Sequence, residues 1–177
     1  MRIIWQRGIL ILCILVLGIL GTPLGQSSAH PQDDAVAKQF IGTWRLVSWP
    51  QRLDDGSSTQ DARSVAYLMY GDTGRMCFVG MNPNRPKWKS ATEPTPDEMF
   101  SAMRYSNFGA YCGTVEIHAK EGYVLHHVEI EESPNLVGMT RKRWFTFEGP
   151  NRLSLKIDSS QLPLHVAEDT LIWERVQ

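Results

Sequence analysis

With 177 residues the chain has room for one folded domain. Its 18 Lys and Arg nearly balance 19 Asp and Glu, and no basic run exceeds Arg141-Lys142-Arg143. That excludes the concentrated positive field a nucleic-acid surface needs.

The chain begins with a short basic lead, Arg2 and Arg7, followed by an almost unbroken apolar run from Gly8 to Leu20. Helix breakers follow (Gly21, Pro23, Gly25), then Ser27, Ser28 and Ala29. This is the layout of a secretory signal, with Ser27 and Ala29 at positions −3 and −1 of a cut before His30. The run is short for a spanning helix, which takes about 20 residues; an uncleaved membrane anchor is the alternative. Residues 1–29 are therefore expected to be a signal helix and the remainder to be exported, to the periplasm or the medium. Arg2 and Arg7 are the only charges lost with them, so the mature chain carries a net charge of −3. Two cysteines remain, Cys77 and Cys112. Either they pair in an oxidising compartment or they stay as two separate buried thiols.

Residues 30–41 read as a polar leader, with Asp34 placed to cap a short helix ending at Phe40. From Gly42 the pattern changes to strands. Gly42 to Trp49 alternates and stops at Pro50; 51–63 is polar and reads as a loop. Val65–Tyr70 and Arg75–Gly80 flank a Gly71–Gly74 turn and form a hairpin. A Pro-rich stretch, 81–96, leads to the one mature helix of any length, expected near 97–107. Strands follow at 109–118, 122–131, 139–147, 152–158 and 170–176, separated by short turns. Such spacing favours a meander of neighbouring antiparallel strands. Closing about eight of them into an up-and-down barrel removes the exposed edges and leaves space for one small ligand. A two-sheet sandwich fits the same spacings. The expected fold class is thus all-β, one antiparallel barrel over 42–177.

The segments GTWRLVSW (42–49), AYLMYGDTGRM (66–76), YSNFGAYCGTVEI (105–117), VLHHVE (124–129), SPNLVG (133–138), RKRWF (141–145) and LIWERV (171–176) run in an order that resembles the bacterial and fungal lipocalin-like domain family. The resemblance implies a calycin-type barrel with an internal cavity and no single agreed activity. It also implies structural roles for Trp44, which plugs one end of the barrel, and for Arg175 across its ring. Trp173 is expected to pack as well.

Strand side chains alternate between faces, so parity sorts each strand into two sets. The apolar sets hold Val115 on 109–118, Val128 on 122–131 and Phe145 on 139–147. Tyr111, His126 and Arg143 ride among them, and no Asp or Glu is expected on these inward faces. A cation in a dry interior needs an anion or a wet cavity. We therefore expect Arg143, with His126 and Tyr111, to face the polar or carboxylate end of a ligand, with Val115, Val128 and Phe145 walling its apolar body. The competing arrangement has Arg143 reaching solvent at the rim and His126 as a satisfied core histidine. The same three groups also fit a cofactor-independent isomerase or cyclase using His126 for acid–base chemistry, although a binding protein is favoured.

His126 and His127 point to opposite faces and cannot readily share a metal. His118, His127, Glu116 and Glu129 share the outer face, which reads as a solvated polar surface. Trp88, in the basic loop Arg85–Lys89, either touches a ligand, partner or membrane, or folds back over the mouth. No metal or cofactor is implied. The expected partner is a small hydrophobic molecule, with membrane contact only through the signal segment.

Overall fold

The six residues Val65–Tyr70 alternate exposed and buried without exception, the period-2 signature of a strand with one face on a core and one on water. The same logic builds the whole molecule. The structure, a computed structural model, describes residues 31–104 and 106–177; the expected signal helix and its cleavage site lie outside them. Ten strands follow helix α1 (Pro31–Phe40): β1 (Gly42–Ser48), β2 (Pro50–Leu53), β3 (Ser58–Gln60), β4 (Val65–Tyr70), β5 (Arg75–Met81), β6 (Phe108–His118), β7 (Tyr123–Glu131), β8 (Thr140–Phe147), β9 (Arg152–Ile157) and β10 (Val166–Arg175). Helix α2 (Pro96–Met103) lies between β5 and β6.

Strands β1, β4, β5, β6, β7, β8, β9 and β10 pair antiparallel in that order, and β10 returns to pair with β1. The sheet is therefore a closed eight-stranded antiparallel barrel, not a sandwich. Strands β2 and β3 form a side hairpin on β10 within the stretch expected to be loop. The last strand starts at Val166, four residues earlier than expected, because that hairpin supplies it with a partner. Helix α1 is described over Pro31–Phe40, so Asp34, expected at its start, falls within its span. Helix α2 ends at Met103, short of 107; its start is fixed by a capping box in which the Thr95 hydroxyl accepts from the Glu98 amide and the Glu98 carboxylate from the Thr95 amide.

One end of the barrel is closed by aromatic packing. Phe40, at the end of α1, meets Tyr70, Phe145 and Phe147 edge-on with ring centroids 4.9–5.1 Å apart. The Trp44 indole, fully buried, donates to the Phe40 carbonyl at 2.8 Å. The Arg175 guanidinium lies 4.1 Å from the Trp44 ring centroid and donates to the carbonyls of Gln39, Ile41 and Pro150. It thus ties helix, first strand and last strand together. Gly42 makes room for it: a Cβ there would lie 2.6 Å from Arg175 Nη1, and φ is +132°.

Cys77 and Cys112 face each other across β5 and β6 and form a disulfide. One residue beyond Cys112 the ladder slips. Cys112 pairs with Ile130 but Gly113 pairs with Val128, leaving Glu129 as the extra residue of a β-bulge. Gly113 permits it, since a Cβ there would sit 1.8 Å from the His127 carbonyl oxygen. The slip reverses parity beyond the bulge. Ile130, of the same parity as His126 and Val128, is 68% exposed, and Glu131, of the opposite parity, turns its carboxylate inward with a side chain only 1% exposed.

Candidate functional site

The end of the barrel away from Phe40 holds a cavity of about 320 Å³. Its apolar wall is formed by Trp49, Leu68, Phe78, Leu155, Leu171 and Trp173. Against this wall stand Tyr111, His126 and Arg143, which parity had placed inside. The other three expected wall residues lie elsewhere. Val115 borders a separate hollow beside α1, Val128 packs in the core, and Phe145 packs against Phe40 at the closed end. Parity gives the face of a strand but not the height along the barrel. Trp173, expected to be purely structural, lines the cavity as well as the core.

His126 is 1% exposed and sits between two phenols. Tyr70 Oη lies 2.9 Å from Nε2 and Tyr111 Oη 3.0 Å from Nδ1. Burial, reinforced by Arg143 and Arg141, pushes its pKa well below the ordinary 6.5. The ring is therefore neutral, with one nitrogen donating and one accepting. Among the described residues the Tyr70 hydroxyl has Nε2 as its one hydrogen-bond partner, so its proton goes to Nε2. Nδ1 then carries the ring proton and donates to Tyr111, whose own hydroxyl hydrogen points away from the imidazole. Burial raises the Tyr70 pKa well above 10, so this hydroxyl stays protonated.

Three arginines line the cavity, and each is held differently. Arg143, 7% exposed, donates from Nη1 to the Lys142 carbonyl at 2.8 Å and to Gln161 Oε1 at 3.1 Å. Arg141 lies 4.5 Å above the Tyr111 ring and pairs with Glu131 at 2.5 Å. Arg63, 6% exposed, grips Asp61 through Nε and Nη2 at 2.9 and 2.8 Å and stacks 4.5 Å over Trp49. Asp169, 2% exposed, accepts from the Trp49 indole at 2.5 Å and from Gln51 at 2.8 Å. Burial raises its pKa despite those donors. Burial also lifts Glu131 to about 7, with help from its neighbour Glu132 and against Arg141.

The expectation of no acid on the inward faces of these strands is thus overturned by Glu131, while Asp61 and Asp169 reach the cavity from outside them. Glu131 arrives through the bulge, for which Gly113 in mid-strand was the available signal. Asp61 and Arg63 come from the stretch read as loop, where an acid and a base two residues apart were the cue. Arg141 shares a strand face with Arg143 and was legible by the same parity. On the outer surface Glu116 contacts both His118 and His127, while Glu129 pairs with Arg75. Among the described residues no three His, Cys, Asp or Glu side chains converge as metal ligands.

A closed antiparallel barrel with an apolar pocket at one end, and a few polar groups converging in it, is the architecture that suits one small ligand. Residues 41–176 match the family described as lipocalin-like domain, and the chain belongs to that family. No curated protein matches the chain. Among solved structures it is similar to a redesigned beta barrel, at 12% identity and a TM-score of 0.40, over 80% of this chain and 95% of that one.

Proposed function

We propose that the protein is exported and carries a compact, largely apolar small molecule whose polar or carboxylate end faces Arg143, His126 and Tyr111. The cavity supports this reading most directly. It sets aromatic and aliphatic carbon on one side and three arginines on the other, the division of labour typical of a small-molecule site. Its volume lies near the lower end of the usual range of about 300–1,000 Å³, which favours a compact ring system over a long acyl chain. The Trp173 indole N–H is buried with no hydrogen-bond partner among the described residues, an arrangement that costs about 1–3 kcal/mol unless an oxygen atom accepts from it. The N-terminal pattern of residues 1–29, with cleavage near Ala29, supports export, as does the Cys77–Cys112 disulfide.

The isomerase or cyclase alternative asks His126 to take up and hold a proton. A neutral, buried imidazole near two arginines is a poor base, and its relay ends at a tyrosine hydroxyl that burial keeps protonated. The set is better built to aim a hydrogen bond than to shuttle a proton. Titration calorimetry with 2-naphthoate, a compact aromatic acid, tests the binding role. Replacing Arg143 by Met keeps the bulk and removes the charge, and should weaken binding roughly 10- to 150-fold, the worth of one charged hydrogen bond. Equal affinity would remove Arg143 from the site. Turnover of a small acid by the wild type, lost in His126→Ala, would favour the enzyme instead.

A further inference from the structure

Because the barrel strands alternate in direction, the connections β1–β4, β5–β6, β7–β8 and β9–β10 all fall at one end. Gln51, Asp61, Arg63, Ser106, Gln161 and Pro163 bring three of these connections to the cavity, so this end is its mouth. The same connections carry large apolar side chains on their outer surfaces. Phe100 is 75% exposed, Leu164 89% and Val137 50%, and Trp88, Met103 and Met139 are also exposed. The three turns at the opposite end, 71–74, 119–122 and 148–151, hold no large apolar residue. Exposed hydrophobic side chains scattered singly are ordinary, but a set gathered around one opening marks an interaction surface.

The chemistry beside Trp88 narrows the partner. Arg85, Lys87 and Lys89 flank it, with no acid between residues 82 and 92. The nearest acids follow at Glu93, Asp97 and Glu98, and Glu98 is engaged in the α2 capping box. A hollow of about 420 Å³ separates this loop from α2, with Met81, Pro86, Trp88 and Met103 among its walls and Arg85 and Lys87 contributing to it. Among the residues of α2 only Ala102 is buried, so its apolar side chains are turned outward. An indole and a phenyl ring beside long cationic side chains suit the boundary between anionic headgroups and acyl chains, where each has an apolar body and a wet or charged neighbour.

We propose that the mouth rim docks on the surface of an anionic lipid bilayer, inserting Trp88 and Phe100 into the interface while Arg85, Lys87 and Lys89 meet the headgroups. Docked this way, the cavity opens toward the phase in which an apolar ligand is most soluble. Cargo passes between lipid and barrel without crossing bulk water.

The test uses the full chain and vesicles of phosphatidylcholine with or without phosphatidylglycerol, made with acyl-chain-brominated lipid. Since the chain has six tryptophans, the fluorescence of Trp88→Phe is subtracted from that of the wild type to isolate Trp88. Brominated anionic vesicles should quench the Trp88 component. Replacing Arg85, Lys87 and Lys89 together by Ser should lower partitioning into anionic vesicles by on the order of 100-fold, with little change on phosphatidylcholine alone. Phe100→Ser should reduce quenching on the anionic vesicles with an unchanged melting temperature. Vesicle binding that leaves Trp88 unquenched, as when residues 8–20 alone hold the membrane, would overturn the proposal. So would a lipid-independent dimer that buries Trp88.

Discussion

Tyr70→Phe removes one oxygen atom from the molecule and tests the central hydrogen-bond chain. In the wild type the Tyr70 hydroxyl, on a side chain 3% exposed, donates to His126 Nε2 at 2.9 Å. The phenylalanine ring fills the same space against Phe40, so little packing is lost. What changes is that a buried imidazole nitrogen loses its donor. An orphaned buried acceptor costs about 1–3 kcal/mol. For a domain of this size each kcal/mol moves the melting temperature by roughly 2–4 °C, so a fall of about 2–12 °C is expected. His126→Leu takes the partner from the buried Tyr70 hydroxyl and one hydrogen bond from the Tyr111 hydroxyl, and should cost at least as much. In the double variant Tyr70→Phe/His126→Leu the Tyr70–His126 hydrogen bond loses both partners, so the double variant should be more stable than the two single losses predict. Thermal unfolding followed by circular dichroism measures all three. Long-range proton–nitrogen correlation spectra of labelled protein read the tautomer directly, and the proton should be on Nδ1. A wild-type ring protonated at Nε2, or a Tyr70→Phe variant as stable as wild type, would refute the argument that Tyr70 fixes the imidazole.

Two buried groups give opposite pH slopes. Glu131 binds a proton more readily in the folded protein, with its pKa lifted from 4.5 to about 7, so its contribution to stability falls as pH rises through that window. His126 binds one less readily when folded, so its contribution falls as pH drops below about 6.5. Glu131→Gln removes the first slope, and denaturant unfolding should then show stability rising more steeply from about pH 4.5 to 6.5 than in wild type; an unchanged profile would show that Glu131 does not titrate there. Gly113→Ala drives a Cβ into the His127 carbonyl and should yield an unfolded or much less stable protein in expression and melting assays, whereas the same change at Gly56, in open space though at positive φ, should cost far less. Arg175→Ala loses a cation–π contact worth about 0.5–2 kcal/mol and three carbonyl partners. It should lower the melting temperature and speed amide hydrogen exchange in α1 ahead of the barrel strands, and uniform exchange would contradict its role as the tie.

The strands of the barrel were legible because period-2 burial is a local property. VAYLMY at 65–70 and RLSLKI at 152–157 each hold enough alternation to fix their own faces. Tyr111, His126 and Arg143 could be placed on the inner surface for the same reason. Register and height are not local. Whether Val115, Val128 or Phe145 reaches the cavity depends on how far each strand has climbed around the barrel, and that is set by pairing with neighbours distant in the chain. The Gly113 bulge is the sharpest case. One extra residue on β7 exchanges Ile130 for Glu131 at the inner surface, because a slip of one position inverts every side chain beyond it. Likewise the segments carrying Gln51 and Asp169 look like polar loops until β10 offers β2 an edge to pair with, and Asp61 and Arg63 follow the hairpin that this pairing builds. The sequence alone determined which strands exist and which way their side chains alternate; the tertiary pairing decided which of those side chains meet, since closing a sheet fixes register through contacts that no single segment contains.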